Sequence, residues 1–194
     1  MRLPLTLVAP ALLALALVAC GSATPAASFD PASACTTDGR FPGAYPDLET
    51  LLPASFEGRA PDSVDSGRNC TPAALGTLAG EGVDGVRFAG ATWALGGTSG
   101  LTAAVFEGDG LDADRLLTFY EAGGRSARRT DKLQVSQTAV AGAAAKRLDV
   151  LGTDGTGQTI VTWPGDAPGR VNVLLAADLG DARVAEALDA VAGE

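Results

Sequence analysis

The sequence predicts an α+β fold: an antiparallel sheet with helices packed on one face. Three observations support this class. Runs of β-branched and aromatic residues, separated by short turns that contain Gly and Asp, recur through residues 83–194, which is typical of strands joined by hairpins. Two segments of the same region have the apolar spacing of helices. The chain is 46% hydrophobic and 19% charged, a composition that excludes a disordered chain and supports a sizeable core.

The overall composition also excludes several classes of function. The chain has 194 residues, a formal net charge of −9 and no histidine. Without histidine it cannot form a Ser-His-Asp or Cys-His catalytic site, or bind a metal through imidazole. Its acidity argues against nucleic-acid binding, which requires a basic surface. We therefore expect a protein that is not an enzyme and that has no catalytic residue, no metal and no cofactor apart from covalent lipid.

The first element is an N-terminal export signal. Met1-Arg2 is followed by an uncharged run rich in Leu and Ala, which is the order of a secretory signal peptide. The run closes with Leu17-Val18-Ala19-Cys20, which resembles the lipobox of bacterial lipoproteins. This resemblance implies removal of residues 1–19, a diacylglycerol and acyl groups on Cys20, and a position at the extracytoplasmic face of the cell membrane.

Two alternatives to the lipobox stay open: a conventional signal peptide in which Cys20 is incidental, and an uncleaved membrane helix. The helix is disfavoured because the run of seventeen residues contains two prolines and is shorter than the roughly 20 residues that span a bilayer. Residues 20–34 are expected to form a lipid-anchored tether, since small residues and Pro dominate them. The alternative is an extended arm that packs on the domain through Phe29.

The cysteine count predicts one disulfide. Assigning Cys20 to the lipid leaves Cys35 and Cys70, an even pair in an oxidising compartment. The bond would close a loop through the least core-forming part of the chain, which includes the polar run Asp62–Asn69. A redox role is disfavoured because there is no Cys-x-x-Cys spacing. Residues 35–82 are thus expected to be a disulfide-stapled segment of helices and loops.

Two short helices are predicted within this segment. Tyr45–Leu52 has leucines at i, i+3 and i+4 and stops at a proline. Thr71-Pro72 has the form of a helix start, with Thr as the cap and Pro at the first helical position. Gly80–Gly85 matches G-x-G-x-x-G by letter, but here a helix precedes and a strand follows, which is the reverse of a dinucleotide site.

Residues 83–194 are predicted to form the sheet, in one globular unit with residues 35–82. A hairpin is expected first, and then a helix that Asp112 caps and Gly123-Gly124 ends. The predicted strands are Val86–Trp93, Leu101–Phe106, Leu133–Val140, Ala145–Leu151, Gln158–Trp163 and Arg170–Ala177, and a final helix starts near Asp181.

The C-terminal part of this region has a familiar order of elements. The segment Val140–Leu148, a strand with Trp163, the apolar run Val171–Asp178 and the closing helix are similar in order to PsbP-like and to LolA-like or LppX-like envelope domains. This likeness implies a sheet capped by helices and carries no catalytic motif. Thr92-Trp93 and Thr162-Trp163 each precede an apolar strand and an Asp-led helix, either through duplication or by coincidence.

Two charged clusters are candidate sites. Glu107–Asp114 is the densest acidic run; it suits either calcium or, as we prefer, the capping of a helix N-terminus. The second cluster is basic, in an otherwise acidic chain, and is a candidate anion-binding patch for a phosphate, an anionic lipid headgroup or an acidic polymer. Its alternative is a solvated loop and strand edge. The basic residues are Arg125, Arg128, Arg129 and Lys132.

These observations predict a membrane-anchored extracytoplasmic lipoprotein that acts as a non-catalytic binding or interaction module of the cell envelope. The alternative is a carrier or sensor of a lipid-like ligand in a cavity between sheet and helices; a carboxylate-based hydrolase is less favoured. The expected partners are the membrane, through the lipid anchor, and an envelope protein, a lipid or an anionic polymer. An apolar pocket of several hundred Å³ would favour the carrier.

Overall fold

A computed structural model describes residues 29–192 of the chain. Within them the elements follow the order strand, helix, strand, two short helices, a hairpin, a long helix, four strands and a final helix. In chain order they are β1 (Gly39–Phe41), α1 (Pro46–Glu49), β2 (Ser63–Asn69), α2 (Pro72–Leu75), α3 (Thr77–Gly80), β3 (Val86–Gly96), β4 (Ser99–Glu107), α4 (Ala113–Ser126), β5 (Thr130–Val140), β6 (Ala143–Gly152), β7 (Gly157–Pro164), β8 (Arg170–Ala177) and α5 (Asp181–Ala192).

All eight strands lie in one antiparallel sheet, in the order β1-β2-β3-β4-β8-β7-β6-β5. Except for β4 and β8, strands that are neighbours in the sheet are also neighbours in the chain. The exception follows from α4, which carries the chain from β4 to the far edge, so that β8 returns to pair with β4. The predicted antiparallel α+β fold is confirmed.

The helices cover both faces of the sheet, whereas the sequence analysis places them on one. Strand β8 shows this, because alternate residues of a strand point to opposite faces. Val171 and Val173 belong to the cluster that contains the buried leucines of α4. Leu174 and Ala176 pack instead with Val184 and its neighbours on α5. The physical reason is that β8 is apolar on both sides, so each face needs a cover.

The polar run Asp62–Asn69 is a strand, β2, and not a loop. Ser66, Gly67 and Arg68 are buried in it. Burial is affordable because the polar atoms are paired: the Ser66 hydroxyl donates to Glu49 at 2.7 Å and accepts from the Tyr45 N–H at 2.7 Å. Hydrophobic alternation could not reveal this strand, since its inward-facing side chains are polar.

Helix α4 continues through Gly123-Gly124 and ends at Ser126, three residues beyond the start of the predicted stop. Gly124 faces the sheet, where an added Cβ would lie 3.0 Å from Leu133 Cδ1. This glycine therefore allows close packing of α4 on β5. The predicted N-cap is confirmed, since the Asp112 carboxylate accepts from the Arg115 N–H at 2.8 Å.

The first described residues are packed on the domain. Phe29 is only 8% exposed, and its ring centroid lies 5.3 Å from that of Phe41. The described part of the predicted tether, residues 29–34, thus follows the alternative of a packed arm. The predicted disulfide joins Cys35 to Cys70. Residues 1–28, which include the predicted signal peptide and Cys20, lie outside the described residues.

Buried Arg68 fastens this arm to the sheet. Its guanidinium donates to the carbonyl oxygens of Ser33 at 2.8 Å and Thr37 at 2.9 Å, and it lies 4.7 Å from the centre of the Phe29 ring. Asp38 adds a second link, because its carboxylate accepts from the N–H groups of Cys70 and its successor at 2.6 and 2.9 Å. The arm is therefore a fixed part of the domain.

The two tryptophans occupy equivalent places in the sheet. Ala103 of β4 is opposite Leu174 of β8. Trp93 pairs with the residue two before Ala103, and Trp163 with the residue two before Leu174. Both rings lie in the cluster on the α5 side. The two hairpins are thus related by a local two-fold axis, but α4 and α5, which follow them, lie on opposite faces.

Candidate functional site

The structure brings three of the four predicted anion-binding residues to the end of α4. Arg125 pairs with Glu121 at 2.5 Å, while Arg128 and Arg129 lie exposed between α4 and β5. Lys132 lies on β5 and lines a separate pocket at the start of α5, with Arg147 among its neighbours. Within the described part of the chain, neither arginine of the loop nor the lysine forms an ion pair.

An apolar groove runs beside the C-terminal half of α4. We call it the α4 groove. It has a volume of about 510 Å³, within the roughly 300–1,000 Å³ of small-molecule pockets. Helices α2 and α3 form the opposite wall and strands β6 and β7 the floor. The lining residues are Ala73, Gly76, Thr77, Phe119, Tyr120, Ala122, Gly123, Gly124, Ser126, Val150, Gln158 and Ile160.

The spacing between the α2–α3 turn and α4 depends on a glycine. Gly76 has a φ of +55°, a backbone conformation that is strained for residues with a side chain. An added Cβ would also lie 3.1 Å from the Phe119 ring. This close approach of the α2–α3 turn to Phe119 sets the width of the groove. Phe119 and Tyr120 are in edge contact, with ring centroids 5.6 Å apart. Two aromatic rings thus form one rigid side of the groove.

Two hydroxyl groups of the groove form no hydrogen bond with any residue that the structure describes. The Thr77 hydroxyl is buried and forms no hydrogen bond within the described residues. Burial raises the pKa of the Tyr120 phenol above its ordinary value, and no hydrogen bond to a described residue offsets that effect. A fully buried hydroxyl is normally paired, so the unpaired Thr77 hydroxyl is an exception that a bound molecule can satisfy, whereas Tyr120 is only partly buried.

The loop that contains Arg128 and Arg129 is hydrogen-bonded to the turn between β6 and β7. The Thr153 N–H donates to the Arg129 carbonyl at 2.8 Å. In the same turn, hydrogen bonds from Thr156 lower the pKa of Asp154, and the positive charge of Arg129 contributes a smaller part. Arg129 is therefore partly balanced by a nearby carboxylate. Arg128 forms no ion pair with a described residue.

The acidic run is divided among structural tasks. Asp112 caps α4, and Asp114 pairs with Lys146 at 3.4 Å. Glu107 pairs with both Arg87 and Arg170. The Arg170 guanidinium lies 2.6 Å from the Glu107 carboxylate. Residues 29–192 hold no cluster of three or more acidic or cysteine side chains suited to a metal.

The row of charges around Glu107 was not predicted. Arg87, Glu107 and Arg170 are paired across three adjacent strands, so their side chains share one face. Burial disfavours the charged form of Glu107, but hydrogen bonds from Arg170 and Arg87 outweigh it and lower the pKa. Only the strand register brings these residues together, because β8 returns to β4 after more than 60 residues.

A second groove, of about 760 Å³, lies on the α5 face beside Trp163. Its charged groups are already paired, because the Arg170 guanidinium lies 2.7 Å from the Asp166 carboxylate. The Asn172 amide donates to the Pro164 carbonyl at 3.5 Å. The α4 groove differs in that the buried Thr77 hydroxyl of its lining is unpaired, and it is therefore the better candidate for ligand binding.

Comparison of the chain with protein-family models, with curated proteins and with solved structures gives no match. No helix of the described part is long and apolar enough to cross a membrane. The case for function thus rests on the α4 groove. Sequence reasoning missed Thr77 as a site residue, because a single threonine near a helix start carries no signal of its own.

Proposed function

We propose that the protein is a membrane-anchored extracytoplasmic lipoprotein, and that its domain is a non-catalytic module that binds a small amphipathic molecule in the α4 groove. The observation that carries this proposal is the combination of apolar walls with the unpaired Thr77 and Tyr120 hydroxyls. An unpaired buried polar group costs about 1–3 kcal/mol, which a ligand with a hydrogen-bonding group can recover. The apolar walls favour a hydrocarbon body.

The lipobox and the packed arm together support a position close to the membrane. Nine peptide bonds separate Cys20 from Phe29 in the sequence. Even a fully extended chain of that length reaches only about 30 Å. Because the arm after Phe29 is fixed to β2, a lipid on Cys20 would hold the domain within that distance of the bilayer, where amphipathic molecules concentrate.

The directions of the pKa shifts support binding over hydrolysis by carboxylates. A general acid of a glycosidase requires a raised pKa. The carboxyl groups of Asp38, Glu107, Asp154 and Asp178 are shifted the other way, by hydrogen bonds or ion pairs that stabilise their charged forms. These four side chains thus have the environment of structural ion pairs and caps.

Filling the groove tests this function. Gly123 is a helical residue of the groove lining at which an added Cβ would meet nothing within 4 Å. We expect Gly123→Phe to reduce binding of a 1-oleoyl glycerol probe by at least about tenfold, since the ring would occupy the groove. Gly80→Phe is the matched control: Gly80 is also helical and open, but lies outside the groove lining.

Binding is measured by native mass spectrometry and by titration below the critical micelle concentration of the probe. Thermal unfolding of both variants checks that the fold is intact. Equal binding by the wild type and Gly123→Phe would disprove the assignment of the groove. Absence of any probe binding to the wild type would disprove the function itself.

A further inference from the structure

We propose that the ligand of the α4 groove carries an anionic phosphate head, and that Arg128 and Arg129 bind it. This inference rests on the proposed function and adds the class of ligand: a single-chain acyl glycerol phosphate. Both arginines belong to the predicted basic patch, are exposed and form no ion pair within residues 29–192. They also follow closely in sequence after Ser126, which lines the groove.

The arginines are not needed to cap α4. Two carbonyl groups of its last turn are already occupied: Gly123 accepts from the Ser126 hydroxyl at 2.9 Å, and Gly124 accepts from the Thr130 hydroxyl at 2.7 Å. The Ala127 N–H also donates to both carbonyls, at 3.1 and 3.3 Å. These contacts at the helix end do not involve the guanidinium groups, which leaves them free to bind a ligand.

The groups are within reach of the groove. Ser126 lines the groove, and Arg128 follows it by two residues, so their Cα atoms are at most about 7 Å apart. A guanidinium on a flexible stem can therefore meet a head group at the Ser126 end of the groove. The hydrogen bond from Thr153 to the Arg129 carbonyl fixes the loop at this place.

The charge of the site favours a phosphate. The whole chain has a formal net charge of −9, so two adjacent unpaired arginines are a local exception. Guanidinium groups bind phosphate through paired, charge-assisted hydrogen bonds. Asp154 balances part of the charge of Arg129, which leaves Arg128 as the stronger contributor. The buried Thr77 hydroxyl would then bond to the ester or hydroxyl group of the glycerol.

Two ligands that differ only in the phosphate test the inference. The probes are 1-oleoyl lysophosphatidate and 1-oleoyl glycerol, used below their critical micelle concentrations. The protein is the full-length chain with Cys20→Ser, which alters none of the described residues. We expect the phosphate to tighten binding by about tenfold or more, the effect of one charge-assisted hydrogen bond, and added salt to weaken only the phosphate ligand.

The double variant Arg128→Gln/Arg129→Gln should bind lysophosphatidate no better than the neutral glyceride, with binding of the glyceride unchanged. Lys132→Gln is the control, because it removes one positive charge of the same patch at a residue that lines the pocket near α5. It should change neither affinity.

Four results would overturn the inference. Equal binding of the two probes to the wild type would show that the groove does not recognise the phosphate, while leaving the proposed function intact. An equal loss of affinity in Lys132→Gln would indicate a general effect of charge. Binding of inorganic polyphosphate, unaffected by Gly123→Phe, without binding of lysophosphatidate would assign the arginines to an acidic polymer instead. If neither lipid binds, the proposed function fails as well.

Discussion

Single residues with polar groups decide how the N-terminal arm is held. Arg68 is 2% exposed; it donates to neutral oxygens, lies over an aromatic ring and interacts electrostatically with the Asp38 carboxylate. A buried guanidinium is costly to desolvate, and these contacts are what offsets that cost. The arm therefore depends on one side chain whose removal leaves buried carbonyl groups without donors.

We expect Arg68→Met to lower the free energy of unfolding by about 2–3 kcal/mol, because the Ser33 and Thr37 carbonyls lose their donors while the volume is kept. Urea unfolding gives the stability, and limited proteolysis should cut residues 29–38 faster. Arg40→Met on the neighbouring strand is the control, with an expected change below about 0.5 kcal/mol, since Arg40 is exposed. Similar losses in both variants would contradict this role.

Glu107 is expected to make the stability depend on pH. Its pKa in the folded protein lies below the ordinary value of a glutamate, so its ion pairs stabilise the fold fully above that ordinary value. Their contribution is lost as the pH falls through the lower, folded pKa. Glu107→Gln should cost about 1–2 kcal/mol at neutral pH and progressively less in acid.

Urea unfolding of wild type and Glu107→Gln between pH 7 and pH 3 measures this difference. Asp109→Asn provides the control, because Asp109 is exposed nearby and has no ion pair among the described residues. A difference that is independent of pH would show that the ion pairs with Arg87 and Arg170 do not stabilise the fold.

At the scale of elements, most strands and helices were predicted from the sequence, but the end of α4 was misplaced and strand β2 was missed. The strands from β3 to β8 were predicted because apolar residues alternate with turns. Strand β2 was missed because its buried residues are polar, and the end of α4 was misplaced because Gly124 serves packing. Both errors arise from tertiary contacts, which local pattern does not contain.

The two glycines of α4 should respond oppositely to substitution. Gly123→Ala is expected to stabilise the protein by about 0.5–1 kcal/mol, since the site is open and alanine is the better helix former. Gly124→Leu should destabilise it by about 1–3 kcal/mol, because its side chain would meet Leu133 and Val150. Thermal unfolding distinguishes the two, and a stabilising Gly124→Leu would refute the packing argument.

For the whole molecule, the antiparallel α+β architecture could be predicted, but the placement of the helices on the two faces of the sheet could not. The apolar runs of β7 and β8 indicate strands, yet nothing local states that α4 lies on one face and α5 on the other. The candidate site was predicted in part: Arg125, Arg128 and Arg129 meet at one helix end, whereas Lys132 lines a different pocket. The groove itself depends on helix packing, which sequence spacing does not specify.

The position of the whole protein at the membrane is a prediction from the lipobox. Mass spectrometry of membrane-purified protein should find a diacylglyceryl group on Cys20. Cys20→Ser should move the protein from the membrane to the soluble fraction, since stable anchoring needs the acyl chains. Cys35→Ser is the control, because it should leave the membrane fraction unchanged. An unmodified Cys20 in membrane-bound protein would contradict the lipoprotein assignment.

The link between Cys35 and Cys70 also decides how the domain bears a mechanical load. A pull on the chain before Phe29 meets Arg68 and then the disulfide, which passes the tension directly to the end of β2. Strand β1 and the loop up to β2 lie between the two cysteines, so they are shielded from it. The domain would therefore resist peeling of its edge strand when its N-terminus is pulled.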